Sequence, residues 1–104
     1  MERIELFKRW REIVEEIKKD AEKMIPDVRV YVFGSVARGD FSVGLSDVDV
    51  ALISPSFNDR KLKLSVYDFF FEKYFSLPVE FHFLMPEEWR FYRRFIGRDY
   101  IAVR

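Results

Sequence analysis

The sequence predicts an α+β fold, a two-layer α/β sandwich in which a small mixed sheet carries its helices on one face. Three observations lead to this prediction: helical periodicity, short strand-like segments, and their order, which is helix, strand, strand, helix, strand, helix. The 104 residues are predicted to form a single domain, residues 1–104. A domain of this size buries roughly 60–70% of the surface of its unfolded chain, so it can fold without disulfides.

Three segments are predicted to be helices, and the first two carry the spacing of amphipathic helices, because apolar residues recur in them every three or four positions. Pro26 ends the first segment, and Asn58 or Asp59 can cap the start of the second. Pro86 suits the first turn of the third segment, and Gly97 can end it. The predicted helices cover residues 6–24, 58–75 and 86–96.

Three shorter segments have the composition and the two-residue alternation of strands. The predicted strands cover residues 28–33, 47–53 and 79–84. The first two are close enough in sequence for either hairpin-like or crossover pairing. The stretch 36–45 is predicted to be a turn of helix followed by a loop, and the tail 100–103 is either a short extra strand or an arm for a partner.

Composition excludes several classes of function. Lys plus Arg and Asp plus Glu number 18 each, so no overall charge attracts nucleic acid or an anionic membrane, and direct nucleic-acid binding is not expected. The absence of cysteine excludes a disulfide framework and a thiol nucleophile. No apolar run is long enough for a membrane span and the charged N-terminus is no secretory signal, so we expect a cytoplasmic protein. The 35% of charged residues resembles the composition of proteins from thermophiles.

Three acidic residues are predicted to converge on one face of the sheet. Asp47 and Asp49 share a face of the second strand because side chains alternate, and Glu80 has the equivalent position on the third strand. Adjacent carboxylates repel unless a cation such as Mg²⁺ neutralises them, and three can hold two ions about 3.5–4 Å apart. For an Asp-x-Asp pattern alone, ordinary solvent-facing residues are the alternative.

A Gly-Ser pair between the first strand and the following helical turn is a candidate phosphate site. Gly34 lets the backbone approach a phosphate closely, and the Ser35 hydroxyl can add a hydrogen bond at the start of a helix. Arg38, one turn later, can reach a phosphate with its guanidinium group. The alternative is a plain strand-to-helix turn with Ser35 as N-cap. A phosphate site together with metal ligands is what phosphoryl or nucleotidyl transfer requires.

The two motifs together resemble the signature of the DNA polymerase β-type nucleotidyltransferase superfamily. The stretch FGSVARGD at residues 33–40, followed by SDVDV at residues 46–50, is most similar to the minimal nucleotidyltransferases, or MNT proteins. The resemblance implies the polymerase β-like nucleotidyltransferase fold. It covers the first two strands by motif and the rest of the chain by the order of elements. The family most often has Asp at the third acidic position, where this chain has Glu80, so metal geometry or the role as base can differ there.

The resemblance also implies a role for each candidate residue. Asp47 and Asp49, together with Glu80, would hold two Mg²⁺ ions bound to the triphosphate of the substrate ATP. Gly34 and Ser35 would hold the β and γ phosphates. Glu80 would accept the proton of the incoming hydroxyl, or help to remove it through the metal, as the hydroxyl attacks the α-phosphate.

Minimal nucleotidyltransferases resemble the antitoxins of two-component systems whose toxin is a HEPN ribonuclease. This resemblance implies AMPylation, the transfer of AMP from ATP onto a tyrosine of the HEPN toxin, and the expected lack of an acceptor-binding domain favours it. Two other functions stay open. One is a non-catalytic module that neutralises its partner by contact. The other is a nucleotidyltransferase that acts on an aminoglycoside-like small molecule, with an acceptor pocket built between two subunits.

Two further features leave their roles open. His82, the only histidine, is interpreted as a half-exposed strand residue, with contact to the nucleotide or support of the site as the alternative. Four arginines at the last helix form either a solvated face or a contact for an acidic partner or nucleic acid, and neighbouring aromatic residues suggest partial cover by another chain. These arginines are Arg90, Arg93, Arg94 and Arg98.

Overall fold

A four-stranded sheet forms the centre of the computed structural model, which describes residues 3–39 and 47–104, and the side chains of 8–34, 36–39 and 47–104. The elements in chain order are α1 (Arg3–Met24), β1 (Arg29–Phe33), α2 (Ser35–Arg38), β2 (Val48–Ile53), a 3₁₀-helix (Pro55–Asn58), α3 (Arg60–Tyr74), β3 (Val79–Leu84), α4 (Pro86–Ile96) and β4 (Tyr100–Val103). No helix in this part of the chain combines the length and apolar character that crossing a membrane requires.

The strands lie in the order β3-β2-β1-β4 across the sheet. β1 pairs antiparallel with β2 and β4, whereas β2 and β3 are parallel, which confirms the predicted α+β class with a mixed sheet. Helix α3 makes the crossover that a parallel pair needs. The register places Phe33, Asp49 and Glu80 side by side on three neighbouring strands. This row is the foundation of the candidate site.

One face of the sheet packs against α1 and α3. Phe70 of α3 is fully buried here, and its ring centroid lies 5.2 Å from that of Phe81 on β3. Burial of one such side chain contributes about 1.5–3 kcal/mol. The other buried residues of this core are Ile13, Val14, Ile17, Ala21, Val66 and Tyr74 from the two helices, Val30, Val32, Val48, Val50, Leu52, Phe83 and Val103 from the strands, and Ile25, Val28, Val36 and Phe57 from the segments between them.

Helix α4 packs on the opposite face, so the prediction that the helices lie on one face holds for α1 and α3 but not for α4. Trp89, Tyr92 and Ile96 form one side of α4 and reach a second apolar cluster on the sheet. The Trp89 ring stacks on Tyr31 with centroids 4.9 Å apart and lies 5.9 Å from the ring of Phe33. The physical reason is that this face of the strands is also largely apolar and must be covered.

The structure defines several element boundaries that the sequence left open. Asp59, and not Asn58, caps α3, because its carboxylate accepts two N–H bonds of the first turn at 3.0 and 3.2 Å. The short 3₁₀-helix before it was not predicted. The tail forms the extra strand β4, which pairs with β1. The predicted turn of helix is α2, whereas residues 40–46 of the predicted loop lie outside the described residues.

A partly buried polar network joins the C-terminal ends of α1 and α3. Asp20 Oδ2 accepts hydrogen bonds from the Tyr74 hydroxyl and from Lys73 Nζ, both at 2.6 Å. Burial favours a higher pKa for Asp20, but the hydrogen bonds from Lys73 and Tyr74 together outweigh it and hold this pKa below its usual value. Burial, followed by the hydrogen bond to Asp20, raises the pKa of Tyr74. The network therefore fixes how the two helices meet.

Replacing Asp20 by Asn is expected to lower the free energy of unfolding by about 1–3 kcal/mol, because a charged acceptor of two hydrogen bonds is lost. Since folding lowers the pKa of Asp20, its stabilisation is present above about pH 4 and is lost as the pH falls through the folded value. Urea unfolding of both proteins at neutral and acidic pH should show the difference shrinking in acid. Glu22→Gln, at an exposed site of α1, is the control. If the two proteins differed in free energy of unfolding by the same amount at both pH values, the folded state would not lower the pKa of Asp20.

Candidate functional site

Asp49, Glu80 and His82 bring their side chains together near one end of the sheet. Asp49 lies opposite Glu80 on the parallel strand β3, and His82 follows two residues later on the same side of that strand. One potential ligand atom of each residue lies within 4.8 Å of the others. Val50 points into the opposite core, which places this acidic cluster on the face that α4 covers. Two of the three predicted carboxylates therefore converge, together with an imidazole.

The imidazole of His82 is held between polar and aromatic side chains. Its Nε2 lies 3.2 Å from Asp49 Oδ1 and 3.9 Å from Glu80 Oε1. Only 18% of the side chain is exposed, and the ring centroids of Phe33 and Tyr92 lie 5.0 and 5.8 Å away. His82 is thus a member of the cluster and not an ordinary residue of the strand surface. Its spacing of two residues from Glu80 is the sequence signal that places it there.

Glu80 is the open member of the cluster, with 59% of its side chain exposed. Partial desolvation raises the pKa of its carboxyl, the charge of His82 opposes this, and the negative charges of Asp49 and Asp47 raise the pKa further. Asp47 is therefore near enough for its charge to act on Glu80. The excess of negative charge at this end of the sheet favours a cation.

The turn that ends β1 lies directly against Asp49. Gly34 has a φ of +79°, a conformation that favours glycine, and a Cβ atom at this position would lie 2.6 Å from Asp49 Oδ2. Because glycine has no side chain that would clash with Asp49, the backbone can pass directly beside the cluster as it enters α2. The carboxylate of Asp49 is thus confined from two directions, by Gly34 near Oδ2 and by His82 at Oδ1.

The other predicted site residues surround this centre. Asp47 is exposed, lies just before β2 and is outside the three-residue group, so its role as a metal ligand stays a prediction. Arg38 ends α2 with an exposed side chain, and its backbone N–H donates to the Gly34 carbonyl at 3.1 Å. Ser35 begins α2, but its side chain is outside those described, so its predicted phosphate contact stays a prediction as well.

The donor atoms of the cluster suit a divalent cation. Asp49 and Glu80 offer carboxylate oxygens, which are the protein ligands that Mg²⁺ prefers. When Nε2 of His82 carries a proton it donates to Asp49, and such hydrogen bonds commonly fix the direction of a ligating carboxylate. The negative charge of Asp49 also raises the cost of ionising Glu80 unless positive charge lies between them. These residues therefore fit a Mg²⁺-type ion, which the family resemblance implies.

Replacing His82 by Phe is expected to weaken binding of Mn²⁺ or Mg²⁺ by about 10–100-fold, because Asp49 loses the hydrogen bond that orients it. His82→Gln keeps an amide N–H donor and should lose less. Isothermal titration of each protein with Mn²⁺ measures the affinities. Unchanged Mn²⁺ affinity in His82→Phe would show that the contact at Nε2 does not position Asp49.

Comparisons with known proteins identify the type of domain. The family model of the nucleotidyltransferase domain matches residues 12–103. A crystal structure described as a "putative nucleotidyltransferase" is similar at 42% sequence identity with a TM-score of 0.78, covering 88% of this chain and 97% of its own. Another, described in the same words and from Sulfolobus solfataricus, has 21% identity and a TM-score of 0.67 over 96% of this chain and 84% of its own, which shows the fold alone. No curated protein matches significantly.

The matched segment contains the whole of the acidic cluster and the turn at Gly34. The described architecture and the similarity at 42% identity thus agree with the family model. From this agreement we conclude that the chain belongs to the nucleotidyltransferase domain family, whose general reaction is nucleotidyl transfer.

Proposed function

We propose that this protein moves AMP from ATP onto a hydroxyl group in a Mg²⁺-dependent reaction, that the hydroxyl belongs to a tyrosine of a HEPN-type toxin, and that the protein thereby acts as the antitoxin. The observation that carries nucleotidyl transfer is the convergence of Asp49 and Glu80 beside the turn at Gly34. The choice of AMP and of a toxin tyrosine rests on the resemblance to minimal nucleotidyltransferases.

The proposed reaction is a substitution at phosphorus. The hydroxyl oxygen of the acceptor forms a bond to the α-phosphorus of ATP, the bond from that phosphorus to the bridging oxygen breaks, and pyrophosphate leaves with the electron pair. Asp47, Asp49 and Glu80 would hold two Mg²⁺ ions, which stabilise negative charge on the attacking and leaving oxygens when bound.

The protein's own residues position the reactants around this centre. Glu80, the most open member of the cluster, accepts the proton of the acceptor hydroxyl. His82 holds the carboxylate of Asp49 in place. Gly34 lets the backbone at the start of α2 approach the β and γ phosphates, and Arg38 can contribute its guanidinium group from the end of the same helix.

Exposed aromatic surface supports a protein as acceptor. Phe75, just after the end of α3, and Phe95 of α4 are 72% and 77% exposed, and the ring centroids of Phe91 and Phe95 lie 5.2 Å apart. Apolar side chains that are exposed next to each other, as Phe91 and Phe95 are, commonly mark sites of protein–protein contact. The large apolar residues exposed among those described are Leu64, Tyr67, Phe69, Phe71, Phe75, Phe91 and Phe95.

The same surface favours a second candidate, a non-catalytic module that neutralises its partner by contact. Catalysis and contact make different demands on the carboxylates. Replacing both Asp47 and Asp49 by Asn would abolish neutralisation in the catalytic case, whereas the contact case leaves it intact. A toxicity assay with the partner therefore separates the two candidates.

Intact mass spectrometry tests the catalytic proposal directly. The protein is incubated with the protein encoded beside it, ATP and Mg²⁺, and each mass is measured. We expect one or more AMP additions to the partner that disappear with Asp47→Asn and persist with Asp99→Asn, a substitution at an exposed site outside the cluster. An unchanged partner mass in a stable complex would overturn transfer and favour neutralisation by contact.

A further inference from the structure

An apolar recess lies between α3 and β3. Tyr67 and Phe71 of α3 stack with ring centroids 5.9 Å apart, although 47% and 60% of their surfaces are exposed. With Phe81 and Phe83 of β3 they line a cavity of about 220 Å³. Aromatic side chains left in this position offer a binding surface for apolar groups.

Strand β3 forms one edge of the sheet, and no strand of the described residues pairs with its outer side. The carbonyls of Pro78 and Leu84 accept hydrogen bonds from the side of β2, at 2.9 and 3.1 Å. Because backbone groups alternate in direction along a strand, the N–H and C=O groups of Phe81 and Phe83 point outward. An apolar edge with such groups is a template for an added strand.

Glu80 belongs to both the recess and the acidic cluster. It contributes to the lining of the cavity, while its carboxylate lies 3.9 Å from His82 in the cluster. Residues directly opposite each other on neighbouring strands share a face of the sheet. A strand added beside β3 would therefore place one residue next to Glu80 on the cluster face and its two neighbours on the face of the recess.

We propose that the acceptor of nucleotidyl transfer binds as an extended strand along the outer edge of β3, with its hydroxyl-bearing residue beside Glu80 and apolar residues on both sides of it in the recess. This inference rests on the proposed function and specifies the acceptor motif, which is apolar, tyrosine, apolar. The acceptor oxygen bonds to the α-phosphorus, pyrophosphate leaves, and the hydroxyl proton passes to the carboxylate that it faces.

A tyrosine suits this arrangement better than a serine. The added strand lies one strand spacing, about 4.8 Å, outside β3, so its hydroxyl must extend back over the sheet to reach the cluster. The longer side chain of tyrosine bridges that distance, whereas a serine hydroxyl stays close to its own backbone. The aromatic ring can also rest on the exposed side of Glu80.

Blocked peptides serve as acceptor probes in the test. A Lys-Val-Tyr-Val-Lys peptide is compared with a peptide that has Asp in place of both Val residues, each with ATP and Mg²⁺. We expect AMP transfer to the Val peptide to be about 10-fold faster or more, because binding in the recess removes two apolar Val side chains from contact with water. The double variant Tyr67→Ser, Phe71→Ser should lose this preference.

Matched controls make each outcome decisive. Phe95→Ser removes an even more exposed aromatic side chain from α4, on the opposite face of the sheet from the recess, and should keep the peptide preference. ATP binding should be equal in all three proteins. Two results would overturn the strand-binding inference but not the proposed function. One is transfer to the partner protein with equal rates for the Val and Asp peptides, and the other is a preference for the Val peptide that survives in the double variant. Absence of transfer to every acceptor would overturn the proposed function with it.

A second copy of the chain is the competing occupant of this edge. Light scattering after size exclusion measures whether the wild type forms a dimer and whether the double variant Tyr67→Ser, Phe71→Ser is a monomer. A dimer dispersed by the double variant, with the peptide preference unaltered, would assign the recess to self-association and overturn the acceptor proposal. A monomer in both cases, with the preference lost, supports the acceptor.

Discussion

Replacing Asp49 by Asn is expected to reduce the rate of nucleotidyl transfer by about 10³-fold or more, since several kcal/mol of metal-mediated charge stabilisation is lost and each 1.4 kcal/mol is tenfold. Asn keeps the shape of the side chain and an oxygen that can accept the His82 hydrogen bond. The substitution therefore removes the negative charge with little change to the packing around Gly34. Initial rates of pyrophosphate release, with ATP and acceptor in excess, measure the loss.

For stability, in contrast to activity, we expect no loss in Asp49→Asn. Without divalent ions, Asp49→Asn should be at least as stable as the wild type, because the charge of Asp49 opposes ionisation of Glu80. With Mg²⁺ present, the wild type should gain melting temperature and the variant should gain less. Asp99→Asn should behave like the wild type in both assays. Full transfer activity in Asp49→Asn would remove Asp49 from the proposed mechanism.

The local sequence pattern predicted the strands that carry the cluster but not their pairing. Asp49 and Glu80 each alternate with apolar residues that must be buried, so the face of each carboxylate could be inferred. The sequence left open whether strands pair as hairpins or crossovers. The packing of α3 on the sheet fixes the parallel register of β2 and β3, and that register sets Asp49 opposite Glu80.

The position of α4 could not be inferred from its own pattern. A stripe of apolar residues shows that one side of a helix is buried, but not against which face of a sheet. The decisive information lies in β2, where Ala51 and Ile53 are buried on the same side as Asp49. An apolar second face requires its own cover, and α4 is the helix that supplies it. Tyr92 of α4 thereby comes to lie against His82.

The turn at Gly34 has a structural role that the sequence motif did not indicate. The motif singled it out because glycine lets a phosphate approach the backbone. The structure adds a contact between distant parts of the chain, since a Cβ at this position would meet Asp49 Oδ2. No local pattern contains that contact, because it depends on the antiparallel register of β1 and β2. In the structure, the absence of a side chain at this turn leaves room for the carboxylate of Asp49.

Replacing Gly34 by Ala is accordingly expected to damage activity more than stability. The new Cβ would lie 2.6 Å from Asp49 Oδ2, so the carboxylate must move away and its bond to His82 is disturbed. A displacement of about 1 Å in a catalytic group can cost about 10²-fold in rate. The positive φ adds a loss of about 1–2 kcal/mol in the free energy of unfolding. Pyrophosphate release and urea unfolding measure the two effects.

Gly39 provides the control that separates backbone strain from displacement of the carboxylate. Its φ is +78°, almost the same as that of Gly34, but a Cβ there would meet no atom of the described residues within 4 Å. Gly39→Ala should therefore lose similar stability and keep most of its activity. If both variants lose activity equally, backbone strain alone explains the effect of Gly34→Ala. If only Gly34→Ala loses it, the close approach of the turn to Asp49 is what holds the catalytic geometry.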